Sequence, residues 1–214
     1  MNRCVTPEIL DSLDSRHPDA IGSRRDLRII NRLMGNRSWL HRQVAQLPAS
    51  RRYLEIGAGE GELANYLIRS LSLSSYTALD IAPPPDDWPA IAHWVQGDIL
   101  SSESFQDADV LIASLILHHF SDGQLKVIGK QIEDSRIQTI LVCEPCRRSV
   151  HKYQLFAGRL IGFNHVTRHD GAVSIDAGFR RVELPTLLGL NTNVWQLSVE
   201  ESWMGAYRMF ACRK

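Results

Sequence analysis

The sequence predicts an α/β fold in which helices cover both faces of a doubly wound, mostly parallel sheet. Predicted strands and helices alternate along residues 52–143. Within them, 109–114 is a nearly continuous apolar run, as expected for a parallel strand buried on both faces. A glycine-dense turn at 57–61 joins the first predicted strand to the helix that follows it, so the backbone there is free to approach a ligand closely.

Length and composition fit a single domain. A chain of 214 residues with 44% hydrophobic residues is long enough to bury a full core. We expect one domain over 1–214. Its parts are a helical lead (1–48), a ligand-binding core (49–146), an insertion (147–192) and a closing β-hairpin (193–214).

Charge and hydropathy exclude several classes of function. The net charge is zero, so the chain lacks the basic footprint of a nucleic-acid-binding protein, and the arginines crowded into 24–42 fit a solvated helix face. No apolar stretch is long enough to cross a bilayer, and the acidic first twenty residues do not resemble a signal peptide. These features predict a cytoplasmic protein.

The N-terminal lead predicts helices at 6–13 and 23–46. Ser23 is a suitable N-cap for the second of them, and apolar residues recur there at helical spacing. Gly35-Asn36 predicts a break or kink within this helix.

The body then alternates between the two kinds of element. The predicted strands are 52–56, 75–81, 92–96, 109–114 and 137–143, and the predicted helices are 61–71, 86–91 and 121–134. Beyond the body, the pattern predicts a helix at 150–162, a loop at 163–182 and a helix at 183–189. Strands at 194–199 and 207–212 then form a hairpin that adds an antiparallel edge to the sheet.

An acidic residue inside the first strand indicates what kind of ligand the glycine turn would bind. Glu55 precedes Gly57, Gly59 and Gly61, and a carboxylate beside the turn disfavours a phosphate but favours a ligand with an ammonium and a sulfonium group. The dinucleotide fingerprint G-x-G-x-x-G requires a glycine where Glu62 stands. The spacing therefore departs from the nicotinamide pattern.

Two further acids follow predicted strands, at the sheet edge where α/β proteins bind ligands. Asp80 ends the second strand and is suited to accept hydrogen bonds from both hydroxyls of a ribose. Asp98 follows the third strand, where it could accept from the exocyclic amine of an adenine while Ile99 packs on the ring. For each acid, an ordinary strand-end turn is the alternative.

Two adjacent histidines follow the fourth predicted strand, in Leu117-His118-His119-Phe120. One is interpreted as structural and the other as a base or substrate contact in the cleft. We expect no shared metal ion, because successive side chains diverge. Cys143 and Cys146 have C-x-x-C spacing but no second pair to complete a zinc site, so we interpret them as small buried hydrophobes.

Taken together, these motifs resemble the class I S-adenosylmethionine-dependent methyltransferases over about residues 50–145 and the closing hairpin. The resemblance implies a Rossmann-like sheet of seven strands with an antiparallel last strand. It implies S-adenosyl-L-methionine as the cofactor. The positions that it assigns to cofactor binding are Glu55, Gly57, Ala58, Gly59, Gly61, Asp80, Ile81, Asp98 and Ile99.

The flanks, 23–36 and 167–180, resemble small bacterial methyltransferases associated with polyketide and lipid-quinone pathways. That resemblance implies secondary metabolism and a small aromatic or lipophilic acceptor. O-methylation is favoured, C-methylation is the alternative, and a homodimer is compatible with both. The acceptor atom must lie about 3 Å from the methyl group, in line with the bond to sulfur. His118 and His119 are the predicted catalytic residues, since a neutral imidazole can take the proton of a phenol.

The lead and residues 150–180 are expected to form the acceptor pocket, with His165 and His169 in the loop that covers it. For these two, an ordinary surface histidine is favoured over a catalytic one. Aromatic and methionine side chains there either line the pocket or belong to the core; they are Met34, Trp39, Phe156, Phe163 and Phe179. Two other functions remain open: a non-catalytic binding or scaffold protein of the same fold, and a nicotinamide-dependent reductase.

Overall fold

The structure, a computed structural model, describes residues 2–14, 16–158 and 162–214. Its strands are β1 (Tyr53–Ile56), β2 (Tyr76–Asp80), β3 (His93–Gln96), β4 (Val110–Ser114), β5 (Thr139–Pro145), β6 (Trp195–Glu201) and β7 (Ala206–Arg213). Its helices are α1 (Pro18–Met34), α2 (Asn36–Val44), α3 (Glu62–Leu71), α4 (Asp122–Glu133), α5 (Ser149–Ala157), α6 (His165–Ala177) and α7 (Glu183–Leu187). Among these described helices, none is both long and apolar enough to cross a membrane.

All seven strands form one sheet in the order β3-β2-β1-β4-β5-β7-β6. The first five pair in parallel, and β7 pairs antiparallel with both β5 and β6. The predicted fold class is therefore confirmed, with one detail added. The antiparallel strand β7 lies inside the sheet, and the edge belongs to β6. Strand order reverses between β1 and β4, so their carboxyl ends border the crevice where ligands of such sheets bind.

Each face of the sheet has its own hydrophobic core, because the central strands are buried on both sides. One cluster joins side chains of the sheet to α2 and α3, through residues such as Leu40, Val44 and Leu67. The other joins the sheet to α4 and α7, through residues such as Leu125 and Leu184. The nearly continuous apolar run of β4 follows from this double burial.

The lead is helical, as predicted, but the helix predicted to begin at residue 23 begins earlier. Helix α1 starts at Pro18, a residue suited to a first helical turn, and His17 caps it by accepting from the Asp19 amide. Ser23 is therefore a buried residue within the helix and not its cap. The predicted break is confirmed, because Gly35 adopts left-handed dihedrals (φ 69°) between α1 and α2.

Two predicted helices are wrong. In place of a helix at 6–13 there is one 3₁₀ turn, Leu10–Ser12, because the Asp170 carboxylate takes the amides of Ile9 and Leu10 at 2.9 Å. The segment 86–91 is not helical. Pro89 lies inside it and disfavours helical dihedrals in the residue that precedes it.

The predicted loop at 163–182 is also wrong, since it contains the 13-residue helix α6. Asn164 caps it through the amide of Val166, and the buried Asp26 of α1 accepts hydrogen bonds from the Asn164 amide and the Thr167 hydroxyl. Tertiary contacts with α1 and α5 thus stabilise a helix that its threonine, aspartate, glycine and serine residues do not favour. The predicted helix at 150–162 is seen as α5, and residues 159–161 lie outside the described part of the chain.

Gly129 lets α4 approach α7 closely, and this contact is testable. A Cβ atom there would lie 2.1 Å from the backbone oxygen of Leu188. We expect Gly129→Ala to destabilise the protein by about 1–3 kcal/mol, because backbone must move to relieve the overlap. Gly123→Ala in the same helix meets only the Ser121 hydroxyl at 4.0 Å, so its stability should be unchanged or about 1 kcal/mol higher. Urea denaturation measures both, and equal stabilities of the two variants would contradict this close packing of α4 against α7.

Candidate functional site

The glycine turn lies where the predicted topology requires, at the carboxyl end of β1 and against β4. Gly57, Gly59 and Gly61 all have positive φ angles, from 56° to 69°, which favour glycine. The turn leads directly into α3, whose first residues have no side-chain cap. Uncapped amides at a helix start are available as donors to a ligand.

The three glycines face different surroundings. A Cβ on Gly57 would lie 2.3 Å from the side chain of Ile116, and one on Gly61 would lie 2.8 Å from Trp88. A Cβ on Gly59 would meet no atom within 4 Å. Gly57 and Gly61 therefore permit close packing, whereas Gly59 presents bare backbone to open space.

Asp80 and Asp98 lie at neighbouring strand ends, as predicted. Asp80 is oriented by two backbone amides, those of Gly59 at 2.7 Å and Ala82 at 2.9 Å. A carboxylate has about four acceptor positions, so Asp80 keeps positions for further donors. Asp98 is exposed and accepts from the Leu100 amide at 2.9 Å. Both acids therefore form ordinary strand-end turns, which was the alternative to ligand binding. Each carboxylate still has free positions that can accept further hydrogen bonds.

The two predicted apolar contacts differ in exposure. Ile81 follows β2 with 76% of its surface exposed, which leaves it free to pack on a ligand. Ile99 is only 5% exposed and belongs to the core on the α4 side of the sheet. Any contact that Ile99 makes with a ring is therefore limited to a small part of its surface.

Glu55 is buried within β1, and its hydrogen-bond partner Tyr76 belongs to the core on the α2 and α3 side of the sheet. Its carboxyl accepts a hydrogen bond from the Tyr76 hydroxyl at 2.7 Å. Burial raises the pKa of Glu55 to about 8, the hydrogen bond from Tyr76 opposes this, and the charge of Asp80 adds to it. Glu55 is thus mostly protonated at neutral pH in the protein alone, and a cation placed beside it would favour the carboxylate.

Helix α1 lies across the glycine turn. Arg24 is 3.6 Å from Glu60 in the turn itself, and Arg28 is 4.0 Å from Glu62 at the start of α3. The side chains of both pairs are partly or largely open to solvent, so the pairs contribute little to stability. The two pairs do show where the lead lies: α1 is next to the glycine turn and the start of α3, the segment that would contact a ligand.

The turn after β4 is held by a buried carboxylate that is not part of any of the sequence motifs above. Glu144 of β5 is fully buried and accepts hydrogen bonds from the amides of Ile116, Leu117 and His118, between 2.8 and 3.3 Å. Leu115, just before them, has a φ of 58°, which is rare for a bulky residue. The sequence did contain an indication of this role, because Glu144 is a charged residue in an apolar strand, as Glu55 is.

His118 and His119 lie on the 3₁₀ turn Leu117–His119, with ring centroids 4.2 Å apart. The expectation that adjacent side chains diverge is therefore wrong for this pair. His118 is buried, with Nδ1 2.6 Å from Glu144 and Nε2 3.7 Å from Glu8. Burial lowers the pKa of His118, but the hydrogen bonds and negative charges of Glu144 and Glu8 have the larger effect and raise it to about 9. Burial and the neighbouring His118 lower the pKa of His119.

An N-terminal strap, residues 2–12, crosses this turn, and nothing in its sequence pattern predicted that. The Arg3 guanidinium donates to the carbonyls of His118, Phe120 and Ala177 and pairs with Asp122. Further along the strap, Glu8 faces His118. The strap therefore brings both a cation and a carboxylate to the histidine turn.

The predicted pocket residues divide between core and surface. Met34, Trp39 and Phe179 are buried, and Trp39 and Phe179 belong to the two cores. Phe156 is largely exposed on α5, and Phe163 packs near Gly158.

The remaining histidines and the cysteines do not join the histidine turn. His165 and His169 lie exposed on α6, not on a covering loop. Cys143 and Cys146 are buried in different cores, so they do not form one site.

Comparison with solved structures finds this fold in methyltransferases. The plantazolicin methyltransferase BpumL, in complex with a triazolic desmethylPZN analog and SAH, matches with a TM-score of 0.72 and 12% identity, covering 96% of this chain and 93% of that one. The methyltransferase domain of bacterial CtHen1 matches with a TM-score of 0.56 and 17% identity over 86% of this chain and 99% of that one. The pyocyanin biosynthetic protein PhzM matches with a TM-score of 0.61 and 16% identity over 97% of this chain and 62% of that one.

No protein-family model and no curated protein matches the chain. At identities of 12–17%, the likeness to solved structures shows the fold alone.

The raised pKa of Glu55 predicts a pH-dependent stability. Between its ordinary value of 4.5 and about 8, the unfolded chain ionises while the folded carboxyl stays protonated, so stability falls as pH rises. Above about pH 8 this loss is complete and on the order of 5 kcal/mol. We expect Glu55→Gln to stabilise the protein at pH 8.5 and to have little effect at pH 4.5, measured by urea denaturation. The exposed Glu62→Gln is the control, and an equal effect of Glu55→Gln at both pH values would refute the assignment.

Proposed function

We propose that the protein transfers a methyl group from S-adenosyl-L-methionine to a small aromatic or lipophilic acceptor, with oxygen favoured over carbon as the methylated atom. The observation that carries the proposal is Gly59. It offers left-handed backbone with open space around it, beside Asp80 and an uncapped helix start, in a fold that methyltransferases share. This combination suits an amino-acid nucleoside better than a pyrophosphate, which a neighbouring carboxylate would repel.

The residues fit this cofactor in chemical type. Asp80 is held so that it can accept from ribose hydroxyls, Ile81 is exposed for an adenine face, and Asp98 has acceptor positions for an amine. Glu55 would regain its charge beside an ammonium or sulfonium group. Gly57, Ala58 and Gly61 shape the turn, and Ile99 supports Asp98 from the core. The bound cofactor supplies the activated methyl group.

The acceptor side is assigned to the histidine turn and its cover. Ile116, which contacts the glycine turn, is followed two residues later by His118, so the histidines are tied to the cofactor side by a short rigid segment. We propose that His119 faces the acceptor and that His118 fixes the turn through Glu144. The lead, 1–48, and the insertion, 147–192, would enclose the acceptor. A cytoplasmic location and a homodimer remain predictions.

Binding of S-adenosylhomocysteine is the first test. Because a ligand that binds only the folded state stabilises it, we expect S-adenosylhomocysteine to raise the Tm and to show one site per chain by calorimetry. Gly59→Ala should lose at least tenfold in affinity. Gly189→Ala is a matched control, since Gly189 is also exposed, has a φ of 67° and has open space around it. Both variants should lose about 1 kcal/mol of stability through backbone strain.

The outcomes of this binding test separate the candidate functions. Tighter binding of NADH than of S-adenosylhomocysteine would favour the reductase, and no binding of either methionine derivative would favour a scaffold. Equal losses of affinity in the two glycine variants would remove Gly59 from the site.

Methyl transfer itself is the second test. We expect label from methyl-tritiated S-adenosyl-L-methionine to appear in at least one member of a panel of phenols and quinone precursors, and mass spectrometry then identifies the methylated atom. Because His119 is the group proposed to take the acceptor's proton, His119→Ala should lower kcat by about 10²–10⁴-fold while affinity for S-adenosylhomocysteine stays the same. Binding without turnover across the panel would count against the proposed acceptor class.

A further inference from the structure

The strap and the histidine turn bring three metal-ligand types together. The ligand atoms of Glu8, His118 and His119 all lie within 4.8 Å of one another. Nε2 of His118 is 3.7 Å from Glu8 Oε1, which is longer than a hydrogen bond. An ion about 2.1 Å from both of these two atoms spans that 3.7 Å gap. Of the residues that the structure describes, these form the group with this geometry.

Two of the three ligands, His118 and Glu8, are held by a further hydrogen bond, as in built metal sites. Metal-binding histidines usually donate the other ring N–H to a carboxylate, which fixes the tautomer and the ring orientation. His118 does this through Nδ1 to Glu144, leaving Nε2 directed toward Glu8. An ion that binds Nε2 displaces the proton that this nitrogen carries in the protein alone. Glu8 is itself hydrogen-bonded by the Ser174 hydroxyl of α6. The orientation of both side chains is thus set without the ion.

The backbone that carries the ligands is fixed as well. The Asp170 carboxylate binds the amides of Ile9 and Leu10, next to Glu8, and Glu144 binds three amides of the histidine turn. Two segments more than one hundred residues apart in sequence therefore meet at a defined position. Such support is needed for three ligands to meet without large rearrangement.

The local charge favours a cation. Glu8 and Glu144 flank His118 from opposite ring nitrogens, and Asp11 on the strap interacts electrostatically with His119 and Glu8. Arg3 contributes one positive charge nearby, but it is engaged with backbone carbonyls and Asp122.

The ligand set also indicates which ion would bind. Two imidazole nitrogens and one carboxylate suit Zn²⁺ and its transition-metal neighbours, whereas Mg²⁺ and Ca²⁺ prefer oxygen ligands. Three protein ligands leave a coordination position open, which is the arrangement of catalytic rather than structural zinc sites.

We propose that Glu8, His118 and His119 form a binding site for a divalent transition-metal ion of the Zn²⁺ type. The open position would take the acceptor oxygen, a part of the inference that rests on the proposed function. An ion there would lower the pKa of the acceptor hydroxyl, whose proton then leaves to solvent, and would hold the deprotonated oxygen for methylation. In this arrangement His119 acts as a ligand of the ion, in place of the base named in the proposed function.

Metal binding is tested on the full chain without any acceptor. After metal removal by a chelator, calorimetry with Zn²⁺ should show one tight site per chain, and Co²⁺ should give the visible absorption of a low-coordinate site. Mg²⁺ should not compete. Glu8→Gln and His119→Ala should each weaken Zn²⁺ at least tenfold, while the control His165→Ala, at an exposed histidine of α6, should bind as the unchanged protein does.

Glu144→Gln tests the positioning of His118. We expect it to weaken Zn²⁺ by about 10–100-fold and to alter the Co²⁺ spectrum. If that variant fails to fold, Glu8→Gln on the strap still decides the matter. Binding of S-adenosylhomocysteine is measured in parallel on every variant, so loss of fold is separated from loss of the ion.

Two results would overturn the site. One is the absence of tight Zn²⁺ binding in a protein that still binds S-adenosylhomocysteine, which leaves the proposed function intact and His118 as a buried ion pair. The other is equal Zn²⁺ binding in the unchanged protein and in His119→Ala, which assigns the ion to other histidines. Failure to bind S-adenosylhomocysteine would instead contradict the proposed function.

Discussion

The buried carboxylate of Glu144 is the interaction on which the candidate site depends. Burying a carboxylate costs several kcal/mol unless donors surround it, and here three backbone amides and the ring of His118 donate to it. Those bonds fix the turn after β4, so Ile116 lies against Gly57 and His118 takes one orientation. Without the Glu144 side chain, neither Ile116, which lies against Gly57, nor the two histidines would be held in place.

The glycine turn and the histidine turn are coupled because β1 and β4 are adjacent parallel strands that end at one edge of the sheet. Two segments of the N-terminal lead cover this edge of the sheet. Helix α1 reaches the glycine turn through Arg24 and Arg28, and the strap reaches the histidine turn through Arg3 and Glu8. The lead thus serves both halves of the candidate site, which gives a physical reason for its position ahead of the sheet.

Local pattern was sufficient wherever one physical effect dominated. The β4 run and the Gly35 break are each decided by burial or by one backbone preference. Pattern was insufficient where distant groups compete for the backbone. At 6–13, Asp170 takes amides that a helix would need, and at 163–182, Asp26 and α5 stabilise a helix that weak formers alone do not favour.

The sequence alone determined the sheet class, the position of the glycine turn and the acids at the ends of β2 and β3. Strand periodicity and positive-φ glycines are properties of short segments. Tertiary structure alone decided that β7 enters inside the sheet, that Ile99 faces the core, and that Glu8 and Glu144 meet His118. These outcomes depend on contacts between segments far apart in the chain, and the free energy of such contacts has no counterpart in local spacing.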